Sequence, residues 1–214
     1  MIVFIVIIHY LRTDLYNELA IIISTKRSFM QFLYRPENHF NLANLFTMVN
    51  ISAGLIATYF ITQNSFTTAI IFAWIGGAFD IFDGKIARKY KLSNEFGVQL
   101  DSFADFLSFV LVPVFLIFQA VYAAHLEGFW FFIASIASIY YVISGLRRLI
   151  HFNIHTDAGE VDKYFTGVPT PLGAILLWVV YLTAAYELIA PVLVIFLMIL
   201  IGWLLNSNVK VRHP

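Results

Sequence analysis

The chain has no cysteine among its 214 residues. Disulfides, thiolate metal sites and a cysteine nucleophile are thereby excluded, and the redox compartment is left open. Charge is equally scarce: Asp, Glu, Lys and Arg make up only 12% of the sequence, too little to coat a water-soluble domain of this length. The formal net charge is zero, so bulk charge points to no partner. Internal repeats and low-complexity tracts are also missing. What is present is apolar: 60% hydrophobic residues, 22 phenylalanines and a mean hydropathy of +0.81.

Six apolar runs, at about 42–62, 66–83, 97–123, 128–149, 168–186 and 189–206, come close to the roughly 20 residues that cross a hydrocarbon core. Their connections alternate in charge. TQNS at 62–65, AHLEG at 124–128 and YELIA at 186–190 carry no Lys or Arg. The other connections and the tail hold 12 of the 13 basic residues, leaving only Arg12 apart. The positive-inside rule makes that basic side, and both termini, cytoplasmic. The fold class expected is an all-α integral membrane protein with six transmembrane helices.

Residues 1–40 read as an N-terminal extension, and residues 41–214 as the six-helix domain. MIVFIVIIHYLR at 1–12 has too short an apolar run to span and lacks the basic lead-in of a signal peptide. Residues 15–34 mix apolar and basic positions, as an amphipathic juxtamembrane helix lying on the bilayer does. Pro36 breaks the chain before the first span.

The most informative stretch is GGAFDIFDGKIARKYKLSNEFGVQLDSFADF at 76–105 and its immediate sequel. Asp80 and Asp83 are three apart near the end of the second span; Asp101 and Asp105 are four apart near the start of the third. Either spacing puts its pair on one helix face. Joined by a short polar loop, the two helices bring four carboxylates together at the cytoplasmic end. Unpaired, these charges would be costly in a low-dielectric setting. A hard divalent cation such as Mg²⁺, Mn²⁺ or Ca²⁺ removes the difficulty, and four carboxylates leave room for two ions. The bland alternative, charges that merely face the interface, covers one such Asp better than four. Gly84, Ala87, Arg88 and Gly97 lie between the pairs. Small residues let a phosphate approach the backbone, and Arg88 offers a bidentate clamp. Carboxylate-held metals beside an arginine describe phosphoryl transfer.

Asp80-x2-Asp83-Gly84-x2-Ala87-Arg88-x8-Gly97-x3-Asp101-x3-Asp105 is similar, at each position and gap, to the signature of the CDP-alcohol phosphotransferase family. The resemblance extends from about residue 41 over most of the chain. It implies a six-helix membrane enzyme, usually a homodimer, that uses two divalent metals (Mg²⁺ or Mn²⁺) and displaces CMP from a CDP-linked donor with an alcohol. Asp80, Asp83 and Asp101 would then be metal ligands, and Asp105 both a ligand and the general base. Gly84, Ala87, Arg88 and Gly97 would hold the CDP moiety. The first span opens with Asn44, Thr47 and Asn50 on one face; interhelical hydrogen bonds are the plain reading. The resemblance assigns Asn44 and Thr47 to the cytidine and Asn50 to the diphosphate.

FTGVPTPLGA at 165–174 and GLRRLIHFN at 145–153 resemble elements of the phosphatidylserine synthase branch, and Phe106 follows Asp105 where another branch tends to carry Lys. His151 stands where a second arginine is usual, and Val110 where a glycine is common. The acceptor expected is L-serine, with CDP-diacylglycerol as donor. A site for the serine carboxylate needs a fixed cation, for which Arg148 and Lys163, then Arg147 and His151, are candidates. Pro169 and Pro171 start a helix whose amino terminus faces an anionic substrate. Alternatives are another acceptor (glycerol 3-phosphate or inositol phosphate) or an ether-lipid donor. An ion transporter, the reading from another class, would place acidic residues near mid-membrane on several spans. The aromatics read as lipid-facing bulk, and no nucleic-acid partner is expected.

Overall fold

The computed structural model describes residues 22–157, 164–207 and 210–212. Helix α1 covers residues 22–33, within the amphipathic stretch expected at 15–34. Residues 1–21, including the apolar run at 1–12, lie outside the described residues. Six helices follow: α2 Leu42–Thr62, α3 Phe66–Tyr90, a continuous helical rod α4 Glu95–His125, α5 Gly128–Asp157, α6 Thr170–Ala185 and α7 Pro191–Leu205. Four of them, α2 to α5, are long and apolar enough to cross a membrane. Helices α6 and α7, of 16 and 15 residues, reach only about 24 Å at 1.5 Å per residue.

Local chemistry sets the helix boundaries. Asn41 and Asn94 cap α2 and α4, their side chains accepting from the backbone N–H of Asn44 and Gly97. Lys91, left-handed at φ 54°, ends α3. Asn64, Gly128 and Glu187 also have positive φ at the tight turns between helices. Pro171 and Pro191 fall in the first turns of α6 and α7, where a missing N–H costs nothing.

Helices α3 and α5 run past their expected ends at 83 and 149, to Tyr90 and Asp157. Hydropathy falls there but hydrogen bonding does not, so GLRRLIHFN is helical throughout. The rod α4 is interrupted twice, over Phe106–Leu111 and Phe118–Tyr122, by π-helical turns. The all-helical expectation needs one amendment: Tyr164–Thr166 pairs antiparallel with Lys210–Arg212.

Small residues line the helix contacts, with Ala57, Ala69, Ala104 and Ala134 fully buried. Around them pack Leu116, Ile117, Tyr141, Leu177, Ile195 and Met198. Large apolar side chains point outward as well, among them Leu55, Trp74, Ile143, Val179, Phe196 and Trp203, a surface matched to hydrocarbon. Val110 packs onto Gly145, where an added Cβ would lie 2.6 Å from the valine methyl. Bulk on α4 is thus matched by its absence on α5.

Candidate active site

The start of α2, the end of α3 and the start of α4 meet at one end of the bundle. Two asparagines tie them together. Asn41 donates to the Leu92 carbonyl at 3.0 Å, and Asn94 to the Pro36 carbonyl at 2.5 Å. Asn94 also accepts from Gly97 N–H at 2.6 Å. Asn44 donates to the His39 carbonyl at 3.0 Å, and its Oδ1 lies only 2.5 Å from where a Cβ on Gly97 would sit. Gly97 is therefore demanded by the approach of α4 to α2, whatever ligand it also meets.

On this scaffold Asp80, Asp101 and Asp105 converge, each offering a carboxylate oxygen within 4.8 Å of the others. Two unit charges at that separation repel by about 3 kcal/mol in an effective dielectric of about 20, a repulsion that a cation bound among them would relieve. Asp83, buried on the same face of α3, accepts from Thr47 Oγ1 at 2.7 Å. Asp80 accepts from Asn50 Nδ2 at 3.3 Å. Ser108 Oγ donates to Asn50 Oδ1 at 2.6 Å.

Beside Asp83 and Asp101 lies a cleft of about 190 Å³ lined by Asn44, Thr47, Gly84, Ala87, Arg88 and Gly97. Arg88 folds over Gly84, with Nη1 3.5 Å from the position of a glycine Cβ. Asn50 does not line this cleft; its amide points at Asp80. On the other flank of Asp80 an apolar groove of about 280 Å³ runs between α3, α4 and α6, walled by Trp74, Phe109, Pro171, Ile175 and Trp178.

The acceptor candidates divide. Arg148 is buried and its neighbour Arg147 exposed. His151 is exposed on the same helix, while Lys163 lies outside the described residues. Asn153 Nδ2 donates to Ser102 Oγ at 2.7 Å, which docks the end of α5 beside Asp101. Gly167, in FTGVPTP, has φ 87°, and a Cβ there would lie 2.6 Å from the Leu205 carbonyl. Sequence reasoning passed over Asn41, Asn94, Ser108 and Asn153. For the first two a signal existed: each Asn stands three residues before the N–H that it caps.

A family model described as CDP-alcohol phosphatidyltransferase matches residues 40–205. Among curated proteins, the chain is 34% identical over 170 residues to the CDP-diacylglycerol–serine O-phosphatidyltransferase of Methanocaldococcus jannaschii, covering 79% of this chain and 72% of the relative. It is 30% identical over 170 residues to the Bacillus subtilis protein of the same name, covering 79% and 88%. It is also 30% identical over 171 residues to the archaetidylserine synthase of Methanothermobacter thermautotrophicus, covering 79% and 68%.

Proposed function

The chain belongs to the CDP-alcohol phosphatidyltransferase family, and from that premise we propose that it transfers the phosphatidyl group of CDP-diacylglycerol to the hydroxyl of L-serine, releasing CMP. One observation carries this reading. Asp83 and Asp101 line a polar cleft containing Arg88, while Asp80, within 4.8 Å of Asp101, lines an apolar groove toward the lipid-facing surface. A donor with a charged nucleotide head and fatty tails needs both, with carboxylates at the junction.

The donor set of Asp80, Asp83, Asp101 and Asp105 is all oxygen, and three of these groups crowd within 4.8 Å; both facts suit Mg²⁺ or Mn²⁺. Two such ions held there would supply charge neutralisation and Lewis-acid polarisation of the phosphoryl oxygens. The rest falls to the chain's own residues. Arg88, over Gly84, pairs with the diphosphate. Asn44, Ala87 and Gly97 wall the cytidine end of the cleft, and Thr47 holds Asp83. Asp105 accepts the proton of the serine hydroxyl. The serine oxygen gains the bond to the phosphatidyl phosphorus, and the bond from that phosphorus to the CMP phosphate oxygen breaks. Arg148 and His151 supply the positive charge for the serine carboxylate, with Lys163 and Arg147 as further candidates.

The names of the relatives agree on serine and differ on the lipid, which keeps an ether-tailed donor as the second reading. In this proposal α6 and α7 cross with their flanking residues to make six spans, by local bilayer thinning. The basic end that carries the carboxylates faces the cytoplasm, the protein is a homodimer, and residues 1–40 form an accessory segment. The test is CMP release by the purified protein with Mn²⁺, offered CDP-diacylglycerol or its ether-tailed counterpart. Serine should support release, and glycerol 3-phosphate and inositol 1-phosphate should not. Equal rates with all three acceptors would overturn the serine assignment.

A further inference from the structure

Asn50 is fully buried between α3 and α4. Its Nδ2 donates to Asp80 Oδ1 at 3.3 Å, and its Oδ1 accepts from Ser108 Oγ at 2.6 Å. The polarity follows if Asp80 is ionised, as a metal ligand is. An ionised carboxylate only accepts, so the amide must turn its nitrogen to Asp80. Its oxygen is then left to Ser108, whose single hydroxyl proton is committed to it.

That commitment is unusual for a helical serine in this protein. Ser52, Ser102, Ser135 and Ser138 each donate to the carbonyl four residues back in their own helix, at 2.8 to 2.9 Å. The Ser108 hydroxyl reaches across to α2 instead. Ser108 lies in the π-helical turn Phe106–Leu111, which begins immediately after Asp105. The extra residue in that turn changes the direction of Ser108 relative to Asp101 and Asp105.

Two glycines make room for this pair. A Cβ on Gly76 would stand 2.9 Å from Asn50 Oδ1, and one on Gly54 would stand 3.2 Å from Ser108 Oγ. A buried serine between membrane helices is ordinarily adhesive. Here its partner is an amide whose far end holds a carboxylate of the cluster.

We infer that Ser108 is a positioning residue: through the fixed amide of Asn50 it orients the Asp80 carboxylate and so sets the affinity of the site for its divalent cation. Asn50 then belongs behind Asp80, and not against the diphosphate. This rests on reading Asp80 as a metal ligand. Without the hydroxyl the amide oxygen loses its partner, so the amide is held at one end only and fixes the Asp80 carboxylate less rigidly.

The experiment is Mn²⁺ titration of the full chain in nanodiscs, followed by electron paramagnetic resonance. Ser108→Ala should raise the Mn²⁺ dissociation constant by about 10- to 100-fold, the usual cost of losing an outer-shell partner. Ser108→Cys, with the same shape and a weaker donor, should fall between it and the parent. The Asn50→Ala/Ser108→Ala double variant should match Asn50→Ala alone. In CMP release, Ser108→Ala should raise the Mn²⁺ requirement by a similar factor and leave the KM for the CDP-lipid within about twofold. Parent-like Mn²⁺ affinity in Ser108→Ala or Ser108→Cys, or additive losses in the double variant, would overturn the inference while leaving the proposed function standing. A parent protein that binds no Mn²⁺ would overturn both.

Discussion

At the scale of single residues, the aspartates divide by what surrounds them. Asp105 is the group assigned to the hydroxyl proton, so Asp105→Asn should lower kcat by about 10²- to 10⁴-fold, the range for general-base catalysis. Binding of the CDP-lipid, measured by isothermal titration, should be largely retained. Asp80→Ala, by contrast, should lose metal-dependent binding as well. The adjacent Arg147 and Arg148 separate by burial: one is exposed and one is not. Arg148→Ala should raise the KM for serine at least tenfold, against less than twofold for Arg147→Ala. The aspartates were legible in the sequence because an ionisable group in an apolar run demands a reason. Ser108 and Asn153 were not, since a polar residue in a helix says nothing of its partner until the neighbouring helix is placed. The sequence did carry the contact of Asn50 with a functional group, but not which group.

Among the elements, the one most constrained by its backbone is the turn leading into α6. Gly167 has φ 87° and lies close to a carbonyl at the end of α7. Gly167→Ala should therefore cost about 1–3 kcal/mol, read as a lowered midpoint of thermal unfolding in detergent. Serine-dependent turnover should fall with it, because this turn seats Pro171 in the wall of the groove that Asp80 also lines. The apolar runs found each helix, but their ends were set by other forces. Helix α3 continues through Lys85, Arg88 and Lys89 until Lys91 turns left-handed, and hydropathy carries no trace of that. The π-helical turns were illegible for the same reason: they are a choice among hydrogen-bond patterns made by packing, not by side-chain polarity.

On the scale of the whole molecule, the charge asymmetry between the two ends gives a topology that can be measured. A reporter fused after Pro214 and a tag inserted at Glu127 should fall on opposite sides of the membrane, the former cytoplasmic. A protease-protection pattern with both on one side would refute the six-span reading. The position of the carboxylates, Asp83 and Asp101 at the cleft and Asp80 at the groove, has a kinetic consequence as well. In the proposed reaction CMP would leave into water and the lipid product sideways into the bilayer, so the donor would be sampled in two dimensions. Diluting the donor with inert lipid at a constant total amount should slow turnover in proportion to its mole fraction. Diluting the vesicle suspension should leave the rate per enzyme unchanged. Such surface-dilution behaviour makes the composition of the membrane, and not the volume of the cell, the concentration that this protein responds to.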